Sequence, residues 1–419
     1  EIHQEIRRKG LLEKDIMIGT ALIDMYAKCG EIAKAKEVFN ELHVQDVVSW
    51  TTMISLYAEY GDGKKALQLY RYMHIEGVSP NHYTIVETLQ ACGILKNKEK
   101  FDGVNEFTHI SGFMLLDVVY ALHADAQKKG IHSDSFVCTT LINIYGRFGN
   151  LLGAECVFES FVECSTVTWN AMLSAYTENG QGEKTLDRYR DMRNQGVHID
   201  VCTLVCALQA CTEICDLDMC KKLHFDSLCA GLDLDYFLSS SLIGAYGNNL
   251  DVIDATVVAY GFPQLDVVSW NACISGYGKE GKSEGSFKMF EQMKLENIIP
   301  TEASFTSILS ACSHTGLIEQ GLKYFESMVG MYHIVPEMKH YVNIIDLLGR
   351  AGDFIKIENV LNNMPMTPDL AIYLCLLGVC LIQGNLELGK LIFLHLVHSH
   401  PHQDSVYVLM SNILIDTLH

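Results

Sequence analysis

Four histidines crowd one short stretch of the chain: His395, His398, His400 and His402. Zinc needs convergent ligands at fixed geometry. His398, His400 and His402 follow an i, i+2 rhythm across Pro401, which does not place them on one helical face. The stretch therefore reads as a solvated turn between repeats, and no metal is expected. His74-Ile75-Glu76 is the H-x-E half of the zinc deaminase signature H-x-E…P-C-x-x-C. It sits at the end of a helical stripe and no Cys-x-x-Cys follows it, so a catalytic role is not expected. No acid, base and nucleophile set converges elsewhere, so the chain is not expected to be an enzyme or to carry a cofactor. The fifteen cysteines include the pairs Cys202–Cys206, Cys211–Cys215 and Cys375–Cys380, which lie within helical stripes at core spacing. Free cysteine packs as a small hydrophobe. Reduced core cysteines are expected, which implies a reducing compartment.

The elements that carry these residues are set by a repeat. The three tryptophans all occur in one phrase: VVSWT at 47–51, TVTWN at 166–170 and VVSWN at 267–271. Trp169 and Trp270 lie 101 residues apart, the length of two 35-residue units and one of 31, and Trp50 and Trp169 lie 119 apart, about 18 more. Glycines keep the frame at Gly30, Gly61, Gly149, Gly180, Gly281, Gly316, Gly352 and Gly384. Each stands between two apolar stripes of helical period, where a residue with positive φ closes the first helix. In 46–81, Met53, Ile54 and Tyr57 make the first stripe, and Ala66, Leu67, Tyr70 and Met73 the second. That is a helical hairpin, which cannot bury its stripes alone and needs stacked neighbours.

The 419 residues would suit two or three globular domains by length, but the period implies one continuous stack instead. No apolar run reaches the roughly 18 residues that a membrane-spanning helix needs. The longest candidate, 371–382, is interrupted by Gly378 and reads as a buried repeat helix. The formal net charge of −20 argues against sequence-independent nucleic-acid binding, which rests on Lys and Arg neutralising phosphates. Either a local basic stripe exists, or the acidic residues simply coat a solvated outer face.

The phrases LIDMYAKCGEIAKAKEVF (22–39), DVVSWTTMISLYAEYG (46–61), DVVSWNACISGYGKEGK (266–282), ILSACSHTGLIEQGLKYF (308–325), IIDLLGRAGD (344–353) and YVLMSNI (407–413) resemble plant pentatricopeptide repeat proteins of the subclass that alternates 35-residue and shorter repeats. The resemblance covers nearly the whole chain. It implies an all-α fold, a right-handed α-solenoid of stacked helical hairpins. The units fall at 16–46, 47–81, 82–134, 135–165, 166–200, 201–235, 236–266, 267–301, 302–337 and 338–369. Together they form a 1–369 array, with 370–419 resembling the family's extension motifs, cut short. The unit 82–134 has about 18 extra residues within 97–119, expected to form a surface loop because loop closure costs little with length. Unit 236–266 lacks the framing glycine, and Asn248 or Asn249 is expected in the left-handed conformation instead.

In this family the fifth and last residues of each repeat face RNA, and each repeat reads one base. The resemblance therefore assigns RNA binding to Thr20 with Asp46, Thr51 with Asn81, Thr139 with Ser165, Asn170 with Asp200, Ser240 with Asp266, and Asn271 with Thr301. It implies guanine for threonine with aspartate, adenine for threonine with asparagine, and uracil for asparagine with aspartate. Val86 and Val205 at the fifth position can pack but cannot hydrogen-bond a base. The second residues Val48, Val167 and Val268, with Phe136 and Phe237 in short units, would sandwich the base. Helix N-capping is the structural alternative for the polar positions, since Thr, Asn and Asp commonly cap. The implied function is sequence-specific binding of single-stranded organellar RNA in mitochondrion or chloroplast, with the mitochondrion favoured. Site recognition for cytidine-to-uridine editing would follow, with editing-complex proteins or a deaminase supplied in trans or by a region outside this sequence. No membrane partner is expected, and a monomer is. The alternative is a helical-repeat scaffold for a basic protein partner.

Overall fold

The structure is a computed structural model that describes residues 2–8, 12, 16–101, 112–161, 164–232, 235–249, 251–261 and 265–418. Among these the chain forms helices and no strand. It divides into two compact units, Glu1–Glu213 and Ile214–His419.

In the first unit, hairpins pair Ile16–Lys28 with Ile32–Glu41, Val47–Glu59 with Gly63–Ile75, His82–Phe101 with Gly112–Lys128, Ser135–Arg147 with Leu151–Glu159, and Thr166–Glu178 with Gly182–Asn194. The first helices of the hairpins from Ile16 to Thr166 contact one another in sequence. In the second unit the hairpins begin with Tyr236–Asn248, Val267–Lys279, Glu302–Thr315, Met338–Arg350 and Leu370–Gln383, and these first helices also contact in sequence. The apolar stripes meet as expected: Met53, Ile54, Met73 and Ile85 are fully buried in the first unit, and Ile274, Phe305, Ile308 and Ile345 in the second. Trp50 packs edge-on to Phe39 at 4.9 Å between ring centroids, and Trp169 to Phe158 at 4.8 Å. The equivalent position before Trp270 is Ala259.

Stacking of consecutive first helices depends on their twelfth residue, which is small in every unit from 16 to 369: Ala27, Ala58, Gly93, Gly146, Thr177, Thr212, Gly247, Gly278, Ser313 and Gly349. A Cβ on Gly146 would lie 2.7 Å from the Ala175 Cβ, and one on Gly278 would lie 2.6 Å from the Ala311 Cβ. Close approach of the helices fixes how far apart their fifth residues stand.

The eight framing glycines all have positive φ, from 64° at Gly384 to 79° at Gly30. Asn248 and Asn249 do not supply the missing one: Asn248 is the last helical residue and Asn249 has φ −86°. The left-handed conformation is taken elsewhere by Cys215, Asn297 and His333. The expected loop over 97–119 is also corrected at both ends. The helix begun at His82 runs to Phe101, and the next occupies Gly112–Lys128, with Leu115 and Val119 buried; 102–111 lies outside the described residues. Residues 93–101 hold no proline and mostly good helix formers, so nothing local stops the helix. Its partner is tied to the preceding hairpin by Tyr70 Oη donating to Asp125 at 2.7 Å, and Lys129, one turn on from Asp125, lies 3.1 Å from the same carboxylate.

Candidate nucleic-acid interface

Asn170 and Asp200 meet although thirty residues apart. Asp200 caps the first helix of the next unit, Val201–Ile214, by accepting from the Thr203 backbone N–H at 2.9 Å. Asn170 lies one turn inside its own helix, and its Nδ2 donates to both Asp200 oxygens at 2.9 and 3.0 Å. A carboxylate has no donor, so the amide must turn its NH2 toward it. The Thr203 hydroxyl lies 2.7 Å from Asn170 Oδ1 and 2.8 Å from Asp200 Oδ1 and supplies its one proton between them. The group presents an amide N–H beside a carboxylate oxygen on a half-buried surface. Burial pushes the Asp200 carboxyl up, but the bonds from Thr203 and Asn170, with His198 nearby, more than offset it and hold it below its usual range.

The same three positions recur at Thr51, Asn81 and Thr84. Thr84 donates its backbone N–H to Asn81 Oδ1 at 2.9 Å, and its hydroxyl lies 2.9 Å from Asn81 Oδ1 and 2.7 Å from the Thr51 hydroxyl. Thr51 and Asn81 line a cleft of about 430 Å³ with Val48 and Tyr83. Val48 and Tyr83 are 51% and 61% exposed beside it. The remaining lining is acidic, with Asp24, Glu59 and Glu87 against Lys28, whose ammonium is held by Asp24 at 2.7 Å. Burial raises the Glu87 carboxyl, as does Glu59; Ser55 opposes the shift.

The other assigned pairs are more weakly joined. Thr139 reaches Thr168 at 3.5 Å, and Thr168 meets the Ser165 hydroxyl at 3.0 Å. Thr20 turns its hydroxyl to the Ile16 carbonyl, while Asp46 caps through Ser49. Asp266 caps through Ser269 at 2.8 Å in the helix after Ser240. Thr301 forms a capping box with Ser304, and Asn271 Oδ1 is buried without a hydrogen-bond partner. Every last residue of the six pairs thus sits at a helix N-terminus, where the capping alternative holds for it. The fifth residues lie inside helices and are not caps. Val167 and Val268 are exposed like Val48, as are Phe136 and Phe237.

Two features escaped the sequence reading. The third residue of the following unit is a buried polar group wherever the fifth is polar: Ser49, Thr84, Thr168, Thr203, Ser269 and Ser304. A seventh constellation also exists, in which His340 replaces the hydroxyl. Its Nε2 lies 3.1 Å from the Thr306 hydroxyl, and its Nδ1 accepts the Glu337 backbone N–H at 3.0 Å. Reading every third residue against the preceding fifth would have found both.

His74 lies 3.6 Å from Asp125 and edge-on to Tyr70, inside a structural cluster. His395 and His398 belong to the helix Leu386–Ser399 rather than to a turn, which holds only His400 and His402. Among the described residues no group of His, Cys, Asp and Glu could hold a metal. None of the fifteen cysteines is in a disulfide, and five are exposed: Cys29, Cys156, Cys202, Cys215 and Cys229. The core expectation therefore fails for Cys202 and Cys215 of the paired positions, while Cys211 and Cys380 are buried. Among the described residues no helix is long and apolar enough to cross a membrane.

Residues 45–92, 165–213 and 265–314 match the PPR repeat family, and 20–47, 136–165 and 303–332 match the PPR repeat, together more than half of the chain. A mitochondrial pentatricopeptide repeat-containing protein of Arabidopsis thaliana is 32% identical over 407 residues, spanning 97% of this chain and 56% of the relative. A second mitochondrial one is 29% identical over 99% of this chain and 71% of its own, and a chloroplastic one is 31% identical over 99% and 49%. This chain thus spans roughly half to two thirds of the length of these relatives. Two crystal structures of the pentatricopeptide repeat protein PPR10, one from maize and one in complex with an 18-nt psaJ RNA element, are similar at TM-scores of 0.46 and 0.47. Their identities are 18% and 16%, with 97% and 92% of this chain covered and 65% and 74% of theirs. The repeat frame, the helical hairpins, the repeat-family matches and the Arabidopsis relatives agree: the chain belongs to the PPR repeat family, as a protein of the plant type.

Proposed function

We propose that the chain binds single-stranded RNA in sequence, one base per repeat, through the fifth and last residues. Repeats of this family read bases with two or three side chains each. The observation that carries the reading is the Asn170–Asp200 pair. Its amide N–H and neighbouring carboxylate oxygen complement a carbonyl oxygen and the adjacent N3–H of uracil, whereas cytosine offers no N3–H. Read from the N-terminal repeat toward the RNA 3′ end, the pairs specify guanine, adenine, any base, purine, uracil, any base, guanine or purine, and pyrimidine. Val48 and Tyr83 would stack on the adenine. We place the protein in mitochondrion or chloroplast, the mitochondrion favoured. It would recognise sites for cytidine-to-uridine editing, acting as a monomer on RNA, with 370–419 contacting the proteins that bring a deaminase.

The test is binding of the chain to a set of RNA oligonucleotides that carry this pattern with one base changed at a time, at fixed salt. Changes at the uracil and adenine positions should each weaken binding by about 1–3 kcal/mol, and changes opposite Val86 and Val205 should not matter. Equal sensitivity at every position would defeat the reading.

One observation favours a different reading. The cleft holding Thr51 and Asn81 is lined by three carboxylates and one lysine already paired, which suits a basic protein segment better than a phosphate. A lysine- and arginine-rich peptide that competes with RNA, and binds more tightly than RNA, would favour the scaffold.

A further inference from the structure

We propose that Thr203 is a positioning residue for base selection: its hydroxyl locks the Asn170 amide and Asp200 carboxylate into the donor-then-acceptor edge that selects uracil over cytosine. The inference rests on the RNA reading above and adds a residue that itself faces the protein interior. Thr203 is fully buried, so it cannot touch a base.

The lock follows from proton counting. The Thr203 hydroxyl has one proton and two lone pairs. It lies within hydrogen-bond distance of Asn170 Oδ1 and Asp200 Oδ1, and accepts weakly from the Asp200 backbone N–H at 3.3 Å. Its backbone N–H goes to Asp200 Oδ1 as well. The inner oxygens of both side chains are thereby occupied, which leaves the Asn170 amide N–H, shared with the Asp200 oxygens, and the outer lone pairs of Asp200 Oδ2 to face a base. Without the hydroxyl, Asn170 Oδ1 would be a half-buried acceptor that has lost its donor. Turning the amide over would not restore the lost bond, because Oδ1 would then face the Asp200 carboxylate, which has no donor. The amide instead loses its second anchor and is free to tilt out of the plane that matches uracil.

The chain supplies its own comparisons. Thr84 makes the same link between Thr51 and Asn81. Where the fifth residue is valine, the third residue of the next unit is apolar: Val86 is followed by Val137, and Val342 by Ile372. Asn271 is the contrary case. Ser304 spends its hydroxyl on Thr301, at 3.0 Å from the backbone nitrogen and 3.3 Å from the side chain, and Asn271 Oδ1 has no partner. The Asn271 repeat should therefore separate the pyrimidines less sharply than the Asn170 repeat.

The experiment compares the parent chain with Thr203→Val and Thr203→Ser on RNA oligonucleotides that differ only by uracil or cytosine opposite the Asn170 repeat. Thermal melts confirm folding of each variant. Valine keeps the shape and removes the hydroxyl; it should lower the uracil-over-cytosine affinity ratio roughly fivefold, the worth of a hydrogen bond. Serine restores the hydroxyl and should restore the ratio. If the valine variant does not fold, Thr203→Ala, which adds no methyl to the site, takes its place. A parent that does not distinguish the two RNAs removes the RNA reading itself. A parent that distinguishes them, with a valine variant of equal ratio, overturns the role of Thr203 alone. Loss of the ratio in valine without rescue by serine also overturns it, by assigning the loss to packing.

Discussion

Substituting alanine for Gly278 should destabilise the protein, while the same change at Gly378 should stabilise it. Both glycines lie inside helices, Val267–Lys279 and Leu370–Gln383, in the same unit. Replacing a helical glycine by alanine gains about 1 kcal/mol from backbone propensity. At Gly378 a Cβ meets nothing within 4 Å, so that gain stands alone. At Gly278 the Cβ would lie 2.6 Å from the Ala311 Cβ and 2.9 Å from its Cα, against an ordinary carbon–carbon contact of about 3.5–4.0 Å. These atoms belong to backbone or sit directly on it, so no rotamer change relieves the clash, and the two helices must part by about 1 Å. Overpacking of this kind costs about 1–3 kcal/mol. Set against the propensity gain, Gly278→Ala should lose up to about 2 kcal/mol, and the two variants should differ by roughly 1–3 kcal/mol. Scanning calorimetry should resolve this as melting temperatures moved in opposite directions, by about 2–4 °C per kcal/mol for a unit of this size. The parted helices carry Asn271 and Thr306, so RNA contacts there should weaken too. A Gly278→Ala protein that gains as much stability as Gly378→Ala would refute the claim that close helix approach spaces the repeats.

Glu87→Gln should stabilise the protein near neutral pH. Burial and Glu59 raise the Glu87 carboxyl, so its stability contribution is intact below the ordinary carboxylate range and is lost as pH rises through the raised value. The gap between variant and parent in urea melts should close below about pH 4, the unperturbed carboxylate range; a gap that widens there would be contrary. Tyr83→Ala should weaken RNA binding by about 1–3 kcal/mol, the usual value of one stacked base, and leave the preference for adenine over guanine in place; unchanged affinity in a titration would remove the stacking assignment.

The hairpin frame was legible because it is written in residues that local physics makes unambiguous. Glycines at Gly30, Gly61 or Gly352 stand where a left-handed residue must close a helix, and Asp46, Ser165 and Asp266 stand where a cap must open the next. Departures arose where several residue types satisfy one backbone demand. Cys215, Asn297 and His333 adopt positive φ without belonging to the types that advertise it, apart from the asparagine. The helix past Asn97 continued because the insertion lacks a breaker before Phe101. The exposed Cys202 and Cys215 show that an i, i+4 spacing does not say which way a stripe faces. Nothing in the sequence singles out Thr203 or Thr84: a hydroxyl in a first turn is unremarkable until the fifth residue of the preceding repeat is seen to lie against it. Contacts between residues some thirty apart become visible only when consecutive units are laid side by side.

The central claim is that the fifth and last residues select bases, and the most direct measurement is the affinity of Asp200→Asn against the parent on the uracil and cytosine oligonucleotides. Asparagine caps a helix about as well as aspartate, so folding should be nearly unchanged. Its outer amide group would replace the Asp200 Oδ2 acceptor by a donor, which fits N3 of cytosine and opposes the N3–H of uracil. Preference should move from uracil toward cytosine, by about 1–3 kcal/mol for the exchanged contact. An Asp200→Asn protein that binds the two oligonucleotides in the parent's ratio would contradict the account and leave Asp200 a helix cap alone.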